Sequence, residues 1–185
     1  MILLRKDSGS RDASETADTI ARAAAGDRHA FQELYFAHAR YIAGVAERIL
    51  GNRQDAEDVV QETFTAAARG LHTVKKPERF RFWLVTIAVR YAKTHLSRSY
   101  RTKEMRDQFA RESDVHGSVE SDADLCRIYR ALDAIPAKLR IPWMLNLVEG
   151  FTQEEAAELC KCSLATVKRR ISKADIQIRK RVGTP

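Results

Sequence analysis

The sequence predicts an all-α chain folded as two helical domains joined by an acidic, flexible linker. Three observations predict it. Only 8 Gly and 4 Pro interrupt 185 residues, and alternating β-branched runs are few. Apolar residues recur at i, i+3, i+4 and i+7 over most of the chain, the period of a helix with one buried stripe. Between two such periodic regions, residues 113–124 ("SDVHGSVESDAD") carry four carboxylates and no Lys or Arg, without helical period. That is the composition of a linker.

The elements follow in order. The first fourteen residues predict a frayed start. A short helix over about 15–25 ends at Gly26. Asp27 caps a long helix whose apolar face carries Phe31, Leu34, His38, Tyr41, Ile42, Val45 and Ile49. Gly51-Asn52 breaks it, and Asn52 caps the next helix, with Asp55 at its third position beside the positive end of the dipole. This third helix contains "DAEDVVQETF" and runs to about Gly70. Ala56, Val59, Val60, Thr63 and Ala67 form its apolar face, while Asp55, Asp58 and Glu62 at i, i+3 and i+7 form a second stripe turned to solvent. A loop, "LHTVKKPER", leads to a helix over about 80–97.

Beyond the linker, "LCRIYRALDAIP" reads as a helix closed by Pro136, and "PWMLNLVEG" as a second ended by Gly150. In the last stretch Thr152 caps a helix and Glu155 completes a capping box. That helix packs through Ala156, Ala157 and Leu159. After a short turn, Ser163 opens a helix with Val167, Ile171, Ala174 and Ile178 facing inward. Three segments result: 15–111, a linker at 112–124, and 125–182.

Composition narrows the function. A hydrophobic content of 44% is enough for a buried core. A net charge of +7 and a pI near 9.5 point to a polyanionic partner, nucleic acid first. With neither a long apolar run nor a signal-peptide pattern, the expectation is a cytoplasmic chain without membrane insertion. Three cysteines, Cys126, Cys160 and Cys162, argue against a disulfide framework in that compartment. "CKC" is a C-x-C pair with no second pair at zinc-ribbon spacing, so it reads as small buried hydrophobes and not a metal site. No nucleophile–base pair, metal helix or phosphate loop is arranged. No cofactor is expected, and the chain reads as no enzyme.

Two basic regions carry the chemistry. From Lys161 to Arg181 there are eight Lys/Arg and one acid, Asp175. Arg169 lies opposite the apolar stripe, flanked by Thr166, Lys168, Arg170 and Lys173. A cationic helix that follows another helix through a tight turn fits a DNA major groove. The second region, Lys75 to Arg111, has eleven Lys/Arg and three acids, interleaved with Phe80, Phe82, Trp83, Tyr91 and Tyr100. Cations that track a backbone, beside aromatics on which bases stack, suit unpaired DNA. At helical spacing most of these aromatics read equally as core, and for Trp83 both readings stand.

The ordered set "GDRHAFQELY", "DAEDVVQETF", "FRFWLVTIAVRYAKTHLSR", "ALDAIP" and "VEGFTQEEAAELCKCSLATVKRR" resembles the extracytoplasmic-function group of bacterial sigma factors. These keep only the domains called sigma-2 and sigma-4. The resemblance implies a sigma-2-like domain over 15–111 and a sigma-4-like helix-turn-helix domain over 125–182. It implies docking of the acidic helix, through Asp55, Asp58, Gln61 and Glu62, on a basic coiled coil of core RNA polymerase. For promoter DNA it implies −10 recognition and strand opening by Lys75, Lys76, Arg79, Trp83, Arg90 and Lys93. It implies −35 recognition by Ser163, Thr166, Lys168, Arg169, Arg170 and Lys173. An anti-sigma factor is a further implied partner. The family commonly has Gly where Lys161 stands, and a left-handed residue there costs Lys about 1 kcal/mol relative to Gly. The alternative is a stand-alone helix-turn-helix regulator, which needs neither the acidic stripe nor a basic-aromatic region in a separate domain.

Overall fold

The computed structural model describes residues 11–107, 131–132 and 134–182. Among them the chain forms seven α-helices and no strand. They are α1 (Arg11–Ala24), α2 (Arg28–Leu50), α3 (Arg53–Gly70), α4 (Phe80–Asp107), α5 (Ala137–Leu147), α6 (Gln153–Cys160) and α7 (Leu164–Val182), with short 3-10 turns at Leu71–Thr73 and Pro77–Arg79. The linker at 112–124 and Cys126 lie outside the described residues.

Capping starts the helices where local chemistry dictates. Asp27 Oδ1 accepts from the backbone N–H of His29 and Ala30 at the head of α2. Its other oxygen accepts twice from Arg22 of α1. The Ala30 amide first, then Arg22, hold the Asp27 carboxyl below its ordinary range. Asn52 accepts from the Asp55 N–H, and Thr152 and Glu155 close a reciprocal capping box. Gly51 ends α2 at φ 80°, and its N–H returns to the Glu47 carbonyl.

The first bundle is α2, α3 and α4 packed pairwise, with α1 laid on α2. Its centre holds Ile42, Val45 and Ile49 of α2, Val59 and Phe64 of α3, and Leu84, Val85 and Val89 of α4, all buried. The second packs α5, α6 and α7 through Met144, Leu145, Leu159, Val167 and Ile171. Each such side chain contributes about 1.5–3 kcal/mol on leaving water.

Two boundaries differ from the sequence expectation. Helix α4 continues ten residues past Ser97 to Asp107. No Gly or Pro stands in "RSYRTKEMRD", and its Lys, Arg, Glu and Met are good helix formers. Helix α5 starts five residues before Pro142, which sits inside it. Pro142 cannot donate to the carbonyl four residues earlier. Burial of Ile141, Pro142, Met144 and Leu145 outweighs that loss.

The bundles are more than tethered: their buried side chains form one continuous core cluster. The Arg140 side chain of α5, itself 3% exposed, donates from Nη2 to the Ile49 carbonyl at 2.6 Å and from Nη1 to the Leu132 carbonyl at 3.3 Å. Ile49 lies in the last turn of α2, where carbonyls lack helical partners, so a guanidinium is well placed there. Arg48 pairs with Glu149 just after α5.

Candidate docking and nucleic-acid interfaces

Helix α3 presents the acidic stripe. Asp58 and Gln61 are exposed; Asp55 and Glu62 are half-exposed. The expectation of a stripe wholly turned to solvent is corrected at Glu62. Its Oε2 lies 3.1 Å from His95 Nε2 on α4. Asp55, Asp58 and His95 hold their polar atoms within 4.8 Å of one another. His95 is a member of this face that sequence reading missed. It stands 33 positions from Glu62, and only helix packing joins them.

A second missed feature adjoins the stripe. A groove between α2 and α3, about 760 Å³, is lined mainly by Phe31, Tyr35, Ala39, Val60, Phe64 and Ala68, with Gln61 at its edge. Tyr35 is 37% exposed and neighbouring Phe36 69%. Large aromatics that stay in water beside a groove mark an interaction surface.

The first basic face starts in the loop before α4. Lys75 and Lys76 are exposed between the two 3-10 turns. Arg79 lies over the Phe82 ring at 4.2 Å, and Arg90 over the Tyr91 ring at 5.0 Å. Trp83 is half-buried, stacked on Phe80 at 5.8 Å and against Gly70. Most of its ring therefore belongs to the bundle. Helix α6 covers part of this face. Arg79 pairs with Glu158 at 3.4 Å, and Lys93 Nζ donates to the Leu159 and Cys160 carbonyls at 3.5 and 3.3 Å. Phe82 meets Phe151 edge to face at 5.8 Å. Two of the six side chains in this set are thus engaged by the second bundle, Arg79 by the Glu158 carboxylate and Lys93 by carbonyls at the negative C-terminal end of α6.

The second basic face is α7. Ser163 Oγ accepts from the Thr166 N–H at 3.2 Å and fixes the start of the helix. Val167, Ile171, Ala174 and Ile178 are buried, which turns Lys168, Arg169 and Lys173 to solvent. Arg170 behaves differently: half-buried, it donates to Cys162 Sγ at 3.6 Å. Asp175 accepts from Arg179 at 2.8 Å and from Trp143 Nε1 at 3.4 Å. The lone acid of this stretch is therefore held on the flank, leaving the cations on the outer face uncompensated. Lys161, at φ 53° and ψ 51°, is the one non-glycine residue with positive φ among the described residues.

Comparison with known proteins agrees with this arrangement. Residues 34–102 match sigma-70 region 2, and residues 127–174 match sigma-70 region 4. An RNA polymerase sigma-H factor of Pseudomonas aeruginosa is 28% identical, covering 84% of this chain and 87% of the relative. An ECF RNA polymerase sigma-E factor of Haemophilus influenzae is 28% identical over 88% of this chain and 93% of the relative. Among solved structures, CnrH in complex with the cytosolic domain of CnrY superposes with TM-score 0.62 at 28% identity, covering 88% of this chain and 94% of that one. The fold is also that of the sigma factor RpoE in complex with the anti-sigma factor NepR from Bartonella quintana, with TM-score 0.69 at 24% identity, covering 83% of this chain and 97% of that one. Regions 2 and 4 together span more than half of the chain, in order and with no strand among the described residues, and on that ground the chain belongs to the sigma-70 family of RNA polymerase sigma factors, in its extracytoplasmic-function group.

Proposed function

We propose that this sigma factor is a dissociable, non-catalytic subunit that docks on core RNA polymerase through α3 and reads promoter DNA with its two basic faces. The observation that carries the reading is one chain with a solvent-facing acidic stripe in one bundle and an uncompensated cationic helix, capped by Ser163, in the other. Asp55, Asp58, Gln61 and Glu62 meet a cationic coiled coil of the polymerase, and opposite charge steers the encounter and fixes register. The apolar groove beside Gln61 receives the uncharged side of the same coiled coil.

Lys75, Lys76 and Arg90 track the opened −10 strand, with Trp83 at the margin. Arg79 and Lys93 join them once α6 moves away. Helix α7 enters the major groove of the −35 element, Arg169 foremost. The acidic linker at 112–124 passes through the cationic interior of the polymerase. An anti-sigma factor is a further partner and engages the two bundles where they meet; the solved relative CnrH, 28% identical, is named in complex with the cytosolic domain of CnrY. The whole takes place in the cytoplasm.

The test is run-off transcription from genomic fragments with core polymerase, with and without the protein. Promoter-specific products are expected with the parent protein. Asp58→Lys, at an exposed site off the apolar face, should weaken core binding by several kcal/mol, because like charges then meet across the contact. Specific DNA binding that persists without any polymerase docking would favour the stand-alone regulator instead.

A further inference from the structure

The turn that joins α6 to α7 is built from two thiols around a strained residue. Cys160 ends α6, Lys161 adopts the left-handed conformation, and Cys162 precedes the cap Ser163. A residue with helical torsions of either hand keeps its neighbours' Cα atoms about 5.5 Å apart, inside the roughly 4.4–6.8 Å range across which a disulfide closes. Both thiols are free and half-buried. Cations surround them. Lys93 Nζ reaches the Cys160 carbonyl at 3.3 Å, and Arg170 Nη1 lies 3.6 Å from Cys162 Sγ.

That setting disfavours a metal ion, which would meet two positive charges with only two sulfur ligands. It leaves the two sulfurs to react with each other, with a guanidinium donor on Cys162 Sγ. The two thiols are not equivalent. Burial pushes the Cys160 thiol up, with Lys93 and Arg170 opposing it. Cys162 has the direct guanidinium contact and so is the attacking sulfur, with Cys160 as the resolving one.

We propose that Cys160 and Cys162 form a reversible thiol–disulfide pair, closed by hydroperoxides, that switches the geometry of the helix-turn-helix. The functional consequence rests on the reading of α7 as the −35 helix. In the first step Cys162 Sγ attacks one oxygen of the peroxide and the O–O bond breaks. The leaving oxygen takes up the thiol proton and departs as an alcohol, or as water from hydrogen peroxide, and Cys162 becomes a sulfenic acid. Cys160 Sγ then attacks that sulfur, the S–O bond breaks, and hydroxide leaves as water with the Cys160 proton. Two electrons pass from the thiol pair to the peroxide.

The bond reaches the DNA-binding face through the turn. Lys161 N–H donates to the Ala157 and Glu158 carbonyls, and Cys162 N–H to Ala157. Two sulfurs brought to about 2 Å pull Cys162 off Arg170 and re-set these bonds. The angle between α6 and α7 then changes, and with it the aim of Arg169. The Cys160 carbonyl also moves relative to Lys93, so the seam between the bundles feels the same event.

The experiment uses the full chain and the variants Cys126→Ser, Cys160→Ser and Cys162→Ser, each treated with hydrogen peroxide and then dithiothreitol. Free thiols are counted, and the peptide holding both cysteines is weighed. Affinity is measured for a duplex of a promoter recovered by run-off transcription. In a Trp83→Phe background, Trp143 fluorescence reports on α7 through its Asp175 contact without any DNA. The parent and Cys126→Ser should lose two thiols and two hydrogens from that peptide and change Trp143 emission. They should also lose about tenfold in duplex affinity, the equivalent of one base-edge contact. Dithiothreitol should restore all of these, while Cys160→Ser and Cys162→Ser show no such reversible change. A disulfide through Cys126, over-oxidation without a bond, or a 160–162 bond that leaves Trp143 emission unchanged would overturn the proposal. If the bond forms and Trp143 responds while the reduced protein shows no preference for the promoter duplex, the switch stands and the reading of α7 fails.

Discussion

Arg48 Nε donates to Glu149 Oε1 at 2.8 Å across 101 positions of sequence, and only 4% of the Glu149 side chain is exposed. The pair joins the last turns of α2 to the residue before Gly150, at the seam of the two bundles. Tyr41 lies at the same seam. Burial first, and then the Glu149 charge, push its hydroxyl up to about 12. A carboxylate so enclosed depends on its Arg48 partner. Arg48→Ala should therefore cost about 3 kcal/mol, because an unpaired charge is left out of water. Removing both side chains should recover part of that loss. Urea unfolding of the three variants measures it. An Arg48→Ala effect within about 0.5 kcal/mol would mean that Glu149 reaches solvent when unpaired.

Thr63 is fully buried on α3, and among the described residues its Oγ1 has no hydrogen-bond partner. A buried hydroxyl without a partner costs about 1–3 kcal/mol in lost hydration. Thr63→Val keeps the shape and removes that group, so the midpoint of unfolding should rise by the equivalent of about 1 kcal/mol. A fall in the midpoint would place a water or another partner on the hydroxyl.

Lys161 holds a left-handed backbone conformation at the turn of the helix-turn-helix. Lys161→Gly should stabilise the fold by about 1 kcal/mol, since glycine meets no Cβ clash there. For a chain of this size that corresponds to a rise in Tm of about 2–4 °C. Calorimetry of the two proteins decides it. An unchanged or lower Tm would show that the Lys161 side chain contributes as much as the strain removes.

His38 packs edge to face on Phe80 at 5.2 Å. Burial first, then the charge of Arg81, hold its pKa below the ordinary 6.5. As pH falls through 6.5 the unfolded chain takes up this proton before the folded one does, so stability falls. The loss continues down to the folded-state pKa and then levels. Asp27 acts in a separate, more acidic window. Its folded pKa is lowered, so the stability it gives is present above the ordinary carboxylate value and lost as pH falls through the folded one. His38→Phe should remove the upper slope and leave the acidic one. Urea midpoints measured from pH 8 down through the carboxylate range test this, and an unchanged upper slope between parent and variant would assign it to another group.

The helices, their caps and the inward stripes of α3 and α7 were legible in the sequence because they depend on residues three to seven positions apart. Asn52, Thr152 and Ser163 cap where their side chains dictate, and Val167, Ile171 and Ala174 are buried as their period requires. The seam was not legible. Arg140 on the Ile49 carbonyl, Lys93 on the end of α6, and His95 beside Glu62 join residues 33 to 91 positions apart. No local pattern announces which cation a distant carbonyl will meet. The ends of α4 and α5 were missed for a different reason. Helix formers without a stop signal let α4 run on, and tertiary burial carried α5 through Pro142.

Arg169 and Arg170 are adjacent in sequence but differ in their surroundings. Arg169 is exposed opposite the buried stripe, whereas Arg170 is half-buried with Nη1 on Cys162 Sγ. A guanidinium free of the protein can make a paired hydrogen bond to a guanine edge, worth about 1–3 kcal/mol of discrimination. One already turned into the turn between helices must first leave that contact. Arg169→Ala should therefore relax preference at one or two base pairs of the −35 element and lower affinity for the cognate sequence. Arg170→Ala should weaken binding with little change in base preference, because it acts on the turn that aims the helix. Lys168 and Lys173, exposed on the flanks, meet phosphates, which position the helix without reading sequence. Lys173→Ala should weaken all sequences alike and reduce the salt slope by about one unit. The measurement is a binding series over single-base variants of the element at several salt concentrations. If Arg170→Ala changes base preference and Arg169→Ala does not, the helix enters the groove rotated towards the Cys162 side, and this assignment of the reading arginine is wrong.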